Sequence, residues 1–132
     1  MDTNHASSAW QPRKTVVKKP RKLRGYARIA LCLPSVGELW FMVHNSDQVE
    51  SNRERLENFL VGFEILKFDF KAAEEFGKLC SVLRKTGREI KQIDVQIAAI
   101  ARVHNLIILT ADKHFTYIPG IKVDNWLSYL SA

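Results

Sequence analysis

The chain has 132 residues, 46% of them apolar and 26% charged, with a net charge of +6. This is the length and composition of one soluble globular domain, 1–132, able to bury a core without disulfides or a structural metal. No apolar run reaches the ~20 residues that span a bilayer, and Met1-Asp2-Thr3-Asn4-His5 has neither the charged nor the apolar region of a signal peptide.

The positive charge is concentrated near the start. Arg13, Lys14, Lys18, Lys19, Arg21, Lys22, Arg24 and Arg28 follow one another with no acid between them, punctuated by Pro12 and Pro20. Such a stripe attracts polyanions and weakens with salt. It is a candidate nucleic-acid-binding segment; the plain alternative is a solvated surface helix or loop.

Ile29–Leu33 is a short apolar run ended by Pro34 and reads as a buried strand. Ser35 is placed to cap a helix in which Val36, Leu39, Trp40 and Val43 recur at helical spacing until Asn45-Ser46-Asp47 breaks it. A second helix covers Val49–Leu60, with Leu56, Phe59 and Leu60 inward and Gly62 at its end. Phe63–Phe68 reads as a strand. Asp69 caps the next helix, which runs to about Thr86 with Phe70, Ala73, Phe76, Gly77, Cys80 and Leu83 on one stripe, and Gly87 stops it. Asp94 opens a helix containing Ile97, Ala98, Ile100, Ala101 and His104. Leu106–Leu109 is too short for a helix and typical of a parallel strand. Ile121–Val123 is a last strand, and Asn125–Leu130 a terminal helix carrying Trp126. Strands alternating with helices predict an α/β layer fold with a short, mostly parallel sheet flanked by helices.

Cys32 and Cys80 both sit among apolar residues and read as buried thiols. Two such cysteines without a secretory signal point to a reducing cytoplasm. His5, His44, His104 and His114 are scattered and form no nucleophile or zinc motif, and no Gly-rich phosphate loop is present.

The acids are placed differently. In parallel α/β sheets, ligands bind at the carboxyl ends of the strands. Glu38 follows the strand ending at Leu33, Asp112 follows the strand ending at Leu109, Asp94 begins a helix, and Asp2 stands where a first strand would end. Singly, each has a plain reading as a helix cap, a dipole partner or a solvated terminal residue. Together they suggest a pocket of carboxylates. Two carboxylates ~5 Å apart repel by roughly 3 kcal/mol at an effective dielectric of ~20, so such a cluster recruits cations or raises its pKa values. Mg²⁺ and Mn²⁺ prefer oxygen ligands and activate water for attack at phosphorus. Acids beside a basic stripe therefore suit phosphodiester hydrolysis, of RNA or DNA.

Asp2-Thr3-Asn4-His5, Pro34-Ser35-Val36-Gly37-Glu38-Leu39, Gln92–Ala99 and Leu109–Phe115, in this order, resemble the PIN-domain family and within it the VapC-like toxins of bacterial toxin–antitoxin pairs. The closing Pro119–Trp126 extends the similarity to nearly the whole chain. The resemblance implies a three-layer PIN-like fold. It implies Asp2 and Asp94 as main metal ligands, Glu38 and Asp112 completing the catalytic site, and Asn4 and Thr110 orienting neighbouring carboxylates. It further implies endonucleolytic cleavage of RNA, often tRNA or rRNA, with Mg²⁺ or Mn²⁺, a homodimer, and a cognate antitoxin whose tail occupies the active-site groove.

One departure is plain. In the family an apolar, central strand precedes the Asp-Thr-Asn motif, whereas here only Met1 precedes Asp2. Its neighbours would be left with unpaired backbone groups. The expectation is a fold whose first, central strand is missing or truncated at the N-terminus. Either the true start lies upstream, or this is a shortened module that binds RNA or an antitoxin without cleaving.

Overall fold

The computed structural model describes residues 30–110 and 113–124. The predicted terminal helix, the basic stretch and the site of the expected missing strand lie outside these residues.

The chain enters through strand β1 (Ala30–Cys32), which passes into helix α1 (Leu33–His44) with no intervening loop. Proline explains the abruptness. Pro34 lies in the first turn of α1, where its missing N–H has no intrahelical partner to lose. The expected strand is thus shorter at its end, and Leu33 belongs to the helix. Ser35 is not the cap. Cys32 occupies that position without a side-chain hydrogen bond, and Ser35 is buried inside the first turn. Glu38 consequently falls beyond the first turn, which carries no acid.

Helix α2 (Val49–Leu60) follows and leads to β2 (Glu64–Leu66), which pairs in parallel with β1. The Arg53 guanidinium sits 5.6 Å from the centre of the Trp40 ring, and Trp40 stacks on His44 at 5.9 Å, tying α2 to α1.

Helix α3 (Phe70–Lys85) begins as expected: the Asp69 side chain accepts a 3.0 Å hydrogen bond from the Ala72 N–H. Its inward face is displaced from the expected stripe. Ala72, Leu79 and Leu83 are buried, whereas Phe70 is 87% exposed and Ala73 and Gly77 are also exposed. A row through 72, 76, 79, 80 and 83 fits the helical period equally well, and packing against α4 selects it. The helix ends in a Schellman motif: the Arg88 N–H reaches the Leu83 carbonyl at 3.1 Å, with Gly87 at φ 71°.

Helix α4 (Gln92–Val103) closes with the same motif, using Asn105 at φ 53°, and a short connection turns the chain back into β3 (Ile107–Leu109). A 3₁₀ helix (Lys113–Tyr117), which the sequence pattern did not signal, precedes β4 (Lys122–Asp124). β4 pairs in parallel with β3, and the Thr110 N–H extends the ladder to the Asp124 carbonyl at 2.9 Å.

Among the described residues all strand pairing is parallel, in the pairs β1–β2 and β3–β4. Two apolar clusters fill the interior. One gathers Leu31, Val36, Leu39, Val43 and Leu56 from β1, α1 and α2. The larger centres on α4, with Leu79 and Leu83 of α3, Ile108 of β3, Phe115 and Ile118. Helix α4 packs on α3, α1 and β3, and so holds the elements together.

Candidate active site

Three of the sequence-predicted site residues lie among the described residues. Glu38 is half-buried on α1, one helical turn past Ser35 and beside the fully buried Leu39. Asp94 is half-buried in the first turn of α4, where a carboxylate faces the unpaired N–H groups of a helix start. Thr110 is 2% exposed and immediately follows β3. None of the three is without an interaction partner.

Their placement follows from connectivity. β1 runs directly into α1, which puts the early part of α1 at the carboxyl end of β1. The chain reverses between α4 and β3, which puts the first turn of α4 near the carboxyl end of β3. Since α1 packs on α4 and α4 on β3, the elements carrying Glu38, Asp94 and Thr110 are joined through α4. Asp2, Asn4, Asp112 and the basic residues Arg13, Lys14, Lys18, Lys19, Arg21, Lys22 and Arg24 lie outside the described residues. Among the described residues, no three of His, Cys, Asp and Glu gather as a metal site.

Two features escaped sequence reasoning. The Ser35 hydroxyl is fully buried and has no hydrogen-bond partner among the described residues, one turn before Glu38. A buried hydroxyl left this way costs about 1–3 kcal/mol. The Pro34-Ser35 pair looks like a capping signal, and only the strand-to-helix join reveals otherwise. The second is a contact between Arg88, just before α4, and Tyr117 of the 3₁₀ helix, 4.1 Å from guanidinium to ring centre. No local pattern links two residues so far apart in the chain.

At the opposite end of α4 the geometry is structural. Arg102 lies 3.0 Å from Glu75 and donates to the Pro119 carbonyl at 3.4 Å, pinning α3, α4 and the turn before β4. The buried Glu75 Oε1 makes no aligned hydrogen bond, so the Glu75 contact is an ion pair rather than a directed bond. A hollow beside it, lined by Ala101, Arg102, Asn105, Leu106, Gly120 and Lys122, lies away from Asp94.

Burial pushes the thiol of Cys32 above its ordinary range, and that of Cys80 likewise. Both are free, but only Cys32 is fully buried; Cys80 is partly exposed, less enclosed than the sequence implied.

Comparison with known proteins identifies the family and the fold. The family model described as PIN domain matches residues 1–121. The chain is 32% identical over 100 residues to Ribonuclease VapC2 of Haemophilus influenzae, covering 74% of this chain and 76% of that one. It is 29% identical to the tRNA(fMet)-specific endonuclease VapC of Shigella flexneri, covering 85% and 89% of the two chains. The fold matches a chain in the crystal structure of VapBC2 from Rickettsia felis bound to a DNA fragment from their promoter, with a TM-score of 0.87, 28% identity, and coverage of 95% and 96%. The three-layer α/β fold expected from the sequence is therefore the fold of this chain.

Proposed function

Because the chain belongs to the PIN-domain family, we propose that it is a metal-dependent endoribonuclease and the toxin of a toxin–antitoxin pair. The observation that carries this reading is Asp94. It stands in the first turn of the most enclosed of the described helices, on the strand-end side, in a chain that matches the family over residues 1–121. Relatives named as ribonucleases, one of them specific for tRNA(fMet), support RNA as the polymer cut. The VapBC2 assembly supports a protein partner of the antitoxin kind.

The donors suit a hard divalent cation. Glu38 and Asp94 offer carboxylate oxygens, as Mg²⁺ and Mn²⁺ require. The described residues do not complete a site alone, so Asp94 would hold the ion with Asp2, and Glu38 and Asp112 would finish the acidic ring. When bound, the ion supplies water activation and neutralises charge building at phosphorus. Glu38 and Asp112 would orient the attacking water, and one of the two carboxylates would take its proton. Asn4 and Thr110 keep the carboxylates in place by hydrogen bonds. The basic residues from Arg13 to Arg24 hold the phosphate backbone in a salt-sensitive way.

Such a toxin works in the cytoplasm, where its RNA is, and as a homodimer. Phe41, Val61 and Phe70 are exposed apolar side chains that a protein partner would cover. Light scattering on the purified chain tests the dimer.

The deciding experiment is RNA cleavage with Mg²⁺, with EDTA, and by Asp94→Asn. We expect cleavage by the parent with Mg²⁺, and none detectable with EDTA or in the variant. The variant keeps the size and helical position of the side chain, so its melting curve should stay close to the parent's. An Asp94→Asn protein that cuts as fast as the parent overturns the reading.

A further inference from the structure

Two rows of the 3₁₀ helix contrast. Residues three apart eclipse one another in this geometry. Phe115 and Ile118 form one such pair, both buried in the larger core. His114 and Tyr117 form the other, both exposed, with ring centroids 6.3 Å apart and planes at 64°. The buried pair anchors the helix, so the exposed pair is presented on a firm base. Thr116 tightens the turn, its hydroxyl donating to the Lys113 carbonyl at 2.6 Å.

Arg88 arrives from a different segment, the connection between α3 and α4. Its guanidinium lies over the Tyr117 ring at 4.1 Å, although Arg88 is exposed and Tyr117 is 45% exposed. A long surface side chain laid flat on an aromatic ring has already lost much of its rotamer freedom, so a ligand that contacts it need not order it again. The charge around it has one prevailing sign. Arg84, Lys85, Arg88 and Lys91 stand against Glu89 in that stretch, and Lys113 begins the 3₁₀ helix.

The position is as telling as the composition. Arg88 lies just upstream of α4, whose first turn carries Asp94. Lys113 directly follows Asp112 in the chain. The cluster therefore lies next, along the chain, to two of the candidate site acids.

We infer that Arg88, Lys113, His114 and Tyr117 form a docking surface for single-stranded RNA beside the scissile phosphate. Planar groups with a cation suit a nucleotide: a base stacks on an aromatic or imidazole ring, and a phosphate meets the guanidinium fork and the Lys113 ammonium. An acidic peptide would use the cations and leave the ring faces idle. This surface rests on the reading of the chain as a ribonuclease, but it uses none of the basic residues from Arg13 to Arg24.

The test separates binding from cleavage. Binding of a short, mixed-sequence, fluorescently labelled single-stranded RNA to the full chain is measured by anisotropy in EDTA, at several salt concentrations. Arg88→Gln and Tyr117→Ala should each weaken binding roughly tenfold, and Arg88→Gln should also flatten the salt dependence. Tyr117→Phe keeps the ring and should bind as the parent does. Arg88→Gln changes an exposed side chain in a connection, so it reports even if Tyr117→Ala folds poorly. Parent-like affinity in Arg88→Gln overturns the inference, as does a lowered melting temperature with unchanged RNA affinity, which would make the contact a structural clamp. Loss of antitoxin binding with RNA binding intact would overturn it in favour of a protein surface. If the parent binds RNA through these residues but never cleaves it, the docking surface stands and the ribonuclease reading fails.

Discussion

Helices α2 and α4 have the same length, 12 residues each, and opposite situations. α4 buries Val95, Ile97, Ala98, Ala99, Ile100 and Ala101, while α2 buries Leu56 alone. The reason is in the side chains. The alanines of α4 let α3, α1 and β3 approach it from several directions. α2 carries Glu50, Glu54, Arg55 and Glu57, which stay in water, so only Leu56 is fully buried, with Val49, Phe59 and Leu60 half-buried beside it. The comparison bears on where the proposed chemistry would sit. Asp94, the proposed metal ligand, rides on the described helix with the most buried residues, where a rigid support would serve that role. Segments like α2, with few buried contacts, open locally at lower cost.

The contrast can be broken most directly in the core. Ile100→Ala removes methylene groups from a fully buried position and should cost about 2–5 kcal/mol, read as a lower urea midpoint by every probe. Leu56→Ala deletes buried volume too, but from the α1–α2 corner. We expect amide exchange to accelerate across α2 while α4 keeps its protection. If α4 amides accelerate as much, the two helices belong to one cooperative unit and the contrast is wrong.

A smaller effect separates two glycines. Both Gly87 and Gly120 have φ near 70°, where a side chain costs about 1–2 kcal/mol. At Gly87 an added methyl group meets open space; at Gly120 it would lie 3.1 Å from the Arg102 guanidinium, which Glu75 and Pro119 hold in place. Gly120→Ala should therefore lower the melting temperature more than Gly87→Ala. Equal shifts would mean that Arg102 moves aside freely.

The smallest effect concerns the thiols. In the native protein Cys80 should be alkylated before Cys32, because only Cys80 is partly exposed. Burial raises both pKa values, so each thiol binds its proton more tightly when folded. That contribution to stability is complete below the ordinary thiol range and fades as pH rises through it towards the raised value. Mass spectrometry of alkylation against pH checks both points. Faster labelling of Cys32 would show that the β1–α1 join opens readily.

Much of this was legible in residue order. The alternation of elements, the Asp69 cap, the stop at Gly87 and the parallel character of Ile107–Leu109 follow from local rules of spacing, capping and φ preference. The motifs around Glu38, Asp94 and Thr110 were readable for the same reason: each lies within a few residues of the strand or helix end that positions it. Other features were open until the elements packed. Ser35 could cap or be buried, and the direct join of β1 to α1 buried it. The inward row of α3 could begin at Phe70 or Ala72, and contact with α4 chose Ala72.

The sequence alone, then, determined most of the described helices and strands and the place of Asp69 and Asp94 at helix starts, because those are short-range properties of the backbone. Only the tertiary structure decided which face each helix turns inward and which distant side chains meet. Arg88 over Tyr117 and Arg102 against Glu75 and Gly120 are such meetings. They depend on through-space packing that no local pattern in the chain encodes.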